Sequence, residues 1–336
     1  MAGSGTAQLR ESDKMVLRVE NLVMEFPAGI HQVVHAVSDI SFDVQRGETL
    51  GIVGESGCGK STTARAIVQL PKPTSGTVLL DPGTDAEIEL TAKEGEELRA
   101  IRPRIQMIFQ DPISSLNPRR RVRDIVAEGL SIWREEHPDV DVEAQVDEVL
   151  TAVGLDPEVA ASRRPHQFSG GQCQRISIAR ALALNPEILI CDEPVSALDV
   201  SVQAQIINIL EEMKERYGLT LIFISHDLSV VRNVSDRVVV MYLGKVCEVG
   251  DSNTLFSEPA HPYTRVLLAS APEPSAVVDE SESAIGDELP SPMDPPSGCR
   301  FRTRCPRTTG LCASEEPVMA KVGLDHFVAC HFPGSP

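Results

Sequence analysis

Short apolar runs alternate with longer amphipathic stretches along most of the chain. Residues 16–26 and 34–44 alternate between apolar and polar positions and predict two strands, whereas the wholly apolar run 188–191 predicts a strand buried on both faces. Apolar residues three and four apart predict a helix over residues 142–153, and a further helix is predicted at 200–217. This alternation of strands and helices indicates an α/β fold with a mostly parallel sheet core.

Composition divides this pattern into segments. Residues 1–14 are polar and predict a disordered leader, and residues 15–256 carry the α/β domain, which starts with an antiparallel β subdomain. A helical insert occupies about residues 111–184 within that domain. Residues 257–298 combine a helix with an acidic, proline-rich linker, and residues 299–336 form a small C-terminal extension with four cysteines.

The overall charge limits the classes of partner. The sequence holds 31 basic and 49 acidic residues, and the net charge of −18 argues against general nucleic-acid binding. It contains no run of eighteen apolar residues and no signal-peptide core near its N-terminus. We therefore expect a cytoplasmic chain whose membrane role, if it has one, depends on a partner.

A phosphate-binding loop follows the predicted strand at 49–53. Gly54–Ser61 fits the pattern G-x-x-x-x-G-K-[ST] at every fixed position. Its glycines let backbone N–H groups converge on an anion, and the helix that opens at Gly59 adds the positive end of its dipole. We expect Lys60 to reach the β- and γ-phosphates and the Ser61 hydroxyl to ligate Mg²⁺. The residues expected to contact ATP here are Gly54, Glu55, Ser56, Gly57, Cys58, Gly59, Lys60, Ser61 and Thr62.

Two adjacent carboxylates follow the buried strand at 188–191. Asp192 is placed to hold Mg²⁺, and Glu193 would polarise the attacking water. The alternative interpretation is that the two carboxylates simply face solvent at the end of the strand and have no catalytic role. The presence of a phosphate-binding loop in the same chain favours the catalytic interpretation.

A second glycine-rich turn precedes the helix predicted over residues 173–183. Its hydroxyl and bare N–H groups would form another anion site at a helix N-terminus, although such turns are also common in ordinary loops. One active site needs only one phosphate cradle, so this second cradle is predicted to serve a neighbouring subunit. The turn consists of Ser169, Gly170, Gly171 and Gln172.

These motifs, together with the segment 196–199 and an isolated His226 after a strand, resemble those of ABC-type ATPases across residues 15–250. The resemblance implies a head-to-tail dimer with two ATP molecules, each held between one phosphate-binding loop and the partner's signature turn. It implies that Gln110 senses the γ-phosphate and helps to hold Mg²⁺, and that Asp199 belongs to the D-loop.

The same resemblance completes the expected catalytic set. It implies that His226 contacts the γ-phosphate and acts in catalysis together with Glu193 and Gln110. Phe26 stands where the family stacks an aromatic ring on adenine, although a lone phenylalanine at a strand end also suits a core position. The chain is therefore expected to hydrolyse ATP and not only to bind it.

Two further segments resemble the oligopeptide/dipeptide importer ATPases, some of which handle nickel. They are residues 110–118 and 258–264, and the cysteine-containing extension resembles that family's C-terminal region. This resemblance implies four partners: a second ATPase subunit, two transmembrane permease subunits and, indirectly, an extracytoplasmic substrate-binding protein. It places the chain peripherally on the cytoplasmic face of the membrane. The rival hypothesis is a non-transport ABC ATPase acting on nucleic acid or the ribosome.

The cysteines of the extension are separated by five, six and seventeen residues, which matches neither a zinc ribbon nor either ferredoxin spacing. Four thiolates can bind a [4Fe–4S] cluster, whose negative charge the arginines at 300, 302, 304 and 307 could offset. Zinc and four ordinary thiols without a metal remain as alternatives. The four candidate ligands are Cys299, Cys305, Cys312 and Cys330.

Overall fold

The computed structural model describes residues 5–29, 32–134, 138–270 and 289–334. The predicted acidic linker therefore lies largely outside the described residues. Contacts divide the chain into two units. Unit 1 comprises residues 1–93 and 223–336, and unit 2 comprises residues 94–222.

The strands alternate with helices for most of the chain. The strands are β1 (Met15–Pro27), β2 (Val33–Gln45), β3 (Thr49–Val53), β4 (Ser75–Leu80), β5 (Ile88–Glu89), β6 (Ile105–Ile108), β7 (Ile188–Asp192), β8 (Thr220–Ile224), β9 (Arg237–Tyr242), β10 (Lys245–Asp251), β11 (Ala320–Gly323) and β12 (His326–Val328).

The helices are concentrated in unit 2. They are α1 (Lys60–Ile67), α2 (Gly95–Ile101), α3 (Pro112–Ser115), α4 (Val122–Val126), α5 (Glu128–Ile132), α6 (Val142–Ala152), α7 (Pro157–Ala160), α8 (Gly170–Leu182), α9 (Val200–Tyr217), α10 (Leu228–Val234), α11 (Ser252–Ser257), α12 (Pro262–Ala269) and α13 (Gly310–Ser314). Among the described residues, no helix is long and apolar enough to cross a membrane.

An antiparallel sheet with the order β2-β1-β4-β5 opens unit 1 and confirms the two N-terminal strand predictions. The pair Val19 and Phe42 shows why these strands associate, because both side chains face each other in register and are buried.

The phosphate-binding strand lies in the second sheet of unit 1. β3 pairs in parallel with β9, with Ile52 opposite Val239. β9 and β10 form the predicted hairpin, whose turn residues Leu243 and Gly244 both have positive φ, as a two-residue hairpin turn requires. β12 then adds to the free side of β10, and β11 adds to β12. The C-terminal extension is thus part of a sheet of unit 1.

The start of the chain is packed against unit 1 from Gly5 onward, so the expected disorder does not extend to residues 5–14. The Gln8 side chain is buried and its amide donates to the Ser41 carbonyl at 2.8 Å. Arg10 pairs with Asp43 and Glu48 at 2.8 and 2.6 Å. A polar segment can be ordered in this way because buried carboxylates of the sheet satisfy it.

Unit 2 places β6 and β7 side by side in parallel, with Met107 opposite Ile190. The helical insert predicted at 111–184 corresponds to α3 through α8. Within it, α4 and α5 are two short helices that meet at Ala127.

Candidate functional site

The phosphate-binding loop turns between β3 and α1 through two glycines that no other residue can replace without strain. Gly54 and Gly59 have φ of 152° and 106°. A Cβ at Gly54 would lie 2.1 Å from the Met241 carbonyl oxygen, and one at Gly59 would lie 2.4 Å from that of Ala36. No side chain caps α1 at Gly59. The loop therefore presents backbone N–H groups at the positive end of a helix.

Lys60 lies inside this loop, with a relative exposure of 5%. Its Nζ donates to the carbonyl oxygens of Gly54 and Glu55 at 2.8 and 3.1 Å. A buried ammonium group needs such acceptors, and a phosphate could take their place. Ser61 follows as the second residue of α1, where the sequence predicts a ligand for Mg²⁺.

The loop is also held by residues that the sequence did not predict. The Glu55 N–H donates to the Tyr263 hydroxyl at 2.8 Å, and Nη1 of Arg304 lies 3.0 and 2.9 Å from the two Glu55 carboxylate oxygens. Arg304 is separated from Glu55 by 249 positions in the chain, and no local pattern connects them. Tyr263 lies in the segment 258–264, whose sequence indicates a family resemblance but no contact with this loop.

His226 and Phe26 also belong to unit 1. His226 is exposed in the loop between β8 and α10. Phe26 is half-buried near the end of β1, where it pairs with Val34. Both side chains are thus outside the fully buried core, as their expected contacts with nucleotide require.

The two predicted catalytic residues of unit 2 contact each other. Gln110 Nε2 donates to the Glu193 carboxylate at 2.9 Å. Glu193 has φ of 48°, a left-handed conformation that costs energy for a residue with a side chain. Asp192 ends β7 and is fully buried, with a relative exposure of 0%. The C-terminal end of β7 therefore brings together the buried carboxylate of Asp192, the carboxylate of Glu193 on a strained backbone, and the amide of Gln110.

The second glycine-rich turn begins α8. The Ser169 hydroxyl accepts from the Gln172 N–H at 3.3 Å, and the Gln172 side chain accepts from the Ser169 N–H at 3.0 Å. This reciprocal capping box fixes the turn from within. A Cβ at Gly171 would lie 2.5 Å from the Val202 side chain, so the turn is packed closely against α9. Asp199 caps α9 by position, without a side-chain hydrogen bond at that cap.

The four cysteines of the extension line one pocket, together with Phe301 and Arg307. Burial, and after it the charge of the neighbouring thiols, raises the pKa of Cys299 to about 11. Within the described ranges, no group of three or more His, Cys, Asp or Glu side chains is arranged to hold a metal ion. The four cysteines thus lie around one pocket, and their role as metal ligands stays a prediction.

Family models match two parts of the chain. The ABC transporter model matches residues 37–196, and the model of the oligopeptide/dipeptide transporter C-terminal region matches residues 247–312. The solved ATP-binding cassette MJ0796, a dimer in a post-hydrolysis state with ADP and Pi, is 29% identical, covers 70% of this chain and 98% of its own, and has a TM-score of 0.62. The phosphate-binding loop, the match to the ABC transporter model and the similarity to this cassette define the chain as an ABC-type ATPase.

Curated relatives narrow this class. The putative oligopeptide transport ATP-binding protein YkfD of Bacillus subtilis is 49% identical over 94% of this chain and 95% of its own length. The oligopeptide transport ATP-binding protein OppF of Escherichia coli is 48% identical over 89% of this chain and 88% of its own length. The chain belongs to the family of oligopeptide transport ATP-binding proteins. These relatives give no support to the alternative of an ATPase acting on nucleic acid.

Proposed function

We propose that the chain is the ATP-hydrolysing subunit of an importer for peptides or a related small solute. The hydrogen bond between Gln110 and Glu193 is the observation that carries the catalytic part, because it orients the carboxylate that would polarise water. The peptide part rests on the names of the relatives, which are described as oligopeptide transport proteins.

The remaining residues take the roles that the motifs predict. Lys60 and the N–H groups of its loop hold the β- and γ-phosphates, and Phe26 stacks on adenine. Ser61, Asp192 and Gln110 would hold Mg²⁺, which would supply positive charge to offset the charge developing on the phosphates, and His226 would contact the γ-phosphate.

The signature turn serves the nucleotide of a second ATPase subunit. Ser169 is exposed at the start of α8 and would form the anion site together with its two half-buried glycines. The ATPase dimer would lie on the cytoplasmic face of the membrane, and its closure on ATP would drive two transmembrane permease subunits, which receive solute from a substrate-binding protein. Hydrolysis would reopen the dimer.

Glu193→Gln tests the catalytic role. The substitution keeps the size of the side chain and removes its charge, so we expect ATP binding within about 2-fold of wild type and a loss of turnover of about 100-fold or more. Glu212→Gln, at an exposed position of α9, is the matched control and should hydrolyse normally. Hydrolysis by Glu193→Gln at the wild-type rate would exclude Glu193 as the base. Co-purification with two polytopic membrane proteins tests the transporter role.

We further propose that the cysteine pocket holds a [4Fe–4S] cluster. All four cysteines line this pocket, and four thiolates are the usual ligand set of such a cluster. Such a group would staple a segment too short to form its own core. Anaerobic purification, a visible spectrum and iron, sulfide and zinc assays test this; a colourless protein with stoichiometric zinc would contradict it.

A further inference from the structure

The C-terminal extension contacts the phosphate-binding loop at its second residue. Nη1 of Arg304 lies within hydrogen-bond distance of both Glu55 carboxylate oxygens, at 3.0 and 2.9 Å. The arginine side chain is only 10% exposed and that of the glutamate 29%, so solvent screens this pair incompletely. Arg304 also lies 3.5 Å from the Tyr242 hydroxyl and over its ring, which keeps the guanidinium in place.

The backbone of the same loop residue is held from a second direction. The Glu55 N–H donates to the hydroxyl of Tyr263, whose side chain is fully buried. The ring of Phe301, from the extension, packs on Tyr263 and Tyr242 with centroid distances of 5.4 and 5.2 Å. Aromatic pairs at these separations attract each other beyond their burial. The loop residue is thus fixed through both its main chain and its side chain.

A third contact joins the extension to the other end of the loop. Arg300 donates to the Leu243 carbonyl, and the N–H of the adjoining Gly244 donates to the Cys58 carbonyl at 2.8 Å. Cys58 immediately precedes the glycine that opens α1. The extension therefore supports both sides of the turn that would surround the phosphates.

We propose that the C-terminal extension braces the phosphate-binding loop for ATP, with Arg304 as the positioning residue. Two effects of one contact support this function. A carboxylate in the loop repels a polyphosphate, and the paired guanidinium offsets that charge. A loop already held in its bound conformation also loses less conformational entropy when ATP binds. This inference rests on the proposed ATPase function. It assigns a role in ATP binding to the C-terminal extension, which lies outside all the catalytic motifs.

Arg304→Gln in the full-length chain is the primary test. We expect the dissociation constant and KM for MgATP to rise about 10-fold while kcat changes less than 2-fold, because Arg304 acts on the loop and not on the reacting atoms. Arg302→Gln is the matched control, since this neighbouring arginine hydrogen-bonds to Ser297, away from the loop. It should alter the affinity less than 2-fold.

A double variant separates charge from structure. The double variant Arg304→Gln/Glu55→Gln has no unpaired carboxylate in the loop, so its affinity for MgATP should return to within about 3-fold of wild type. Arg304→Lys keeps the positive charge and should lose less affinity than Arg304→Gln. A merely structural role of Arg304 predicts lower thermal stability without these shifts in affinity. Equal affinities of Arg304→Gln, Arg302→Gln and wild type would overturn the inference.

Two further measurements keep the test decisive. If Arg304→Gln does not fold, Tyr263→Phe provides a second test, because it removes only the hydroxyl that accepts from the Glu55 N–H. We expect the dissociation constant for MgATP to rise about 3-fold. Wild-type affinity in this variant would overturn the proposal that the extension supports the loop. The wild-type chain is measured in parallel. Failure of the wild-type chain to bind or hydrolyse ATP would refute the proposed function itself, whereas normal wild-type activity with unaffected variants would refute only the brace.

Discussion

The phosphate-binding loop and the signature turn are both glycine-rich turns that open a helix, but they are stabilised in opposite ways. At Gly59 no side chain caps α1, and the loop is held by distant parts of unit 1 through Tyr263 and Arg304. At Ser169 the turn caps α8 with its own side chains and is exposed. The first turn depends on its surroundings, whereas the second depends on its local sequence.

This difference indicates what each turn can do alone. The loop before α1 encloses a buried cation, Lys60, and its N–H groups lie at the start of a helix of the same chain. The turn before α8 satisfies its own hydrogen bonds and offers an open surface, which suits a turn that acts on the nucleotide of a second subunit. Substitutions that affect one turn and not the other test this distinction.

Lys60→Met should have the largest effect. The substitution keeps most of the aliphatic side chain and removes the ammonium group that donates to the carbonyl oxygens of Gly54 and Glu55. Hydrogen bonds to charged groups contribute about 1.5–3 kcal/mol each, and two phosphate contacts predict a loss of MgATP affinity of about 1,000-fold. Equilibrium binding measures it, with thermal unfolding without nucleotide as the control for folding. Binding within 10-fold of wild type would show that the loop holds phosphate mainly through its N–H groups.

The second prediction concerns the support of the loop and not the loop itself. Glu248 on β10 is fully buried and accepts from the N–H groups of Ala260 and His261 at 2.7 and 2.9 Å and from His326 at 2.6 Å. It therefore anchors the start of α12, which carries Tyr263. Glu248→Gln replaces the charged acceptor with an amide whose NH2 group faces buried donors, so we expect a loss of about 3 kcal/mol in the free energy of unfolding.

The control for this variant is Glu316→Gln, whose partner Lys245 also lies on β10 but whose carboxylate is more exposed. A surface pair contributes at most about 1 kcal/mol, so a smaller loss is expected. Chemical denaturation of both variants provides the comparison. Equal losses would mean that Glu248 does not anchor α12.

The pH dependence of Glu248 has a definite sign. Burial alone raises the pKa of this carboxyl, but hydrogen bonds led by that from His326 outweigh burial, so the pKa of Glu248 is lowered from its ordinary 4.5. Its contribution is therefore complete above pH 4.5 and is lost as the pH falls through the lower folded value. The difference in unfolding free energy between wild type and Glu248→Gln should therefore shrink as the pH falls below 4.5.

The same contrast explains what the sequence could predict. Local patterns predicted β3, β7, the β9–β10 hairpin and the glycines of both turns, because each depends on neighbours within a few residues. The brace at Glu55 and the strand β12 depend on partners more than 75 positions away, for which one sequence has no signal. The order of residues 5–14 was missed for the same reason, since Arg10 is held by Asp43 and Glu48.

Ser169 provides the smallest expected effect and separates capping from phosphate binding. Aspartate, asparagine and serine cap helices about equally well, so Ser169→Asp and Ser169→Asn should both keep the stability of α8 within about 0.5 kcal/mol. Only the aspartate adds a negative charge beside the phosphate of a partner's nucleotide. We expect Ser169→Asp to lower the ATPase rate about 30-fold, or about 2 kcal/mol, and Ser169→Asn less than 3-fold. ATP binding by the single chain should be unchanged in both, because Lys60 and its loop are intact. Equal ATPase rates in the two variants would mean that the signature turn faces no phosphate, and that only one of the two turns is an anion site.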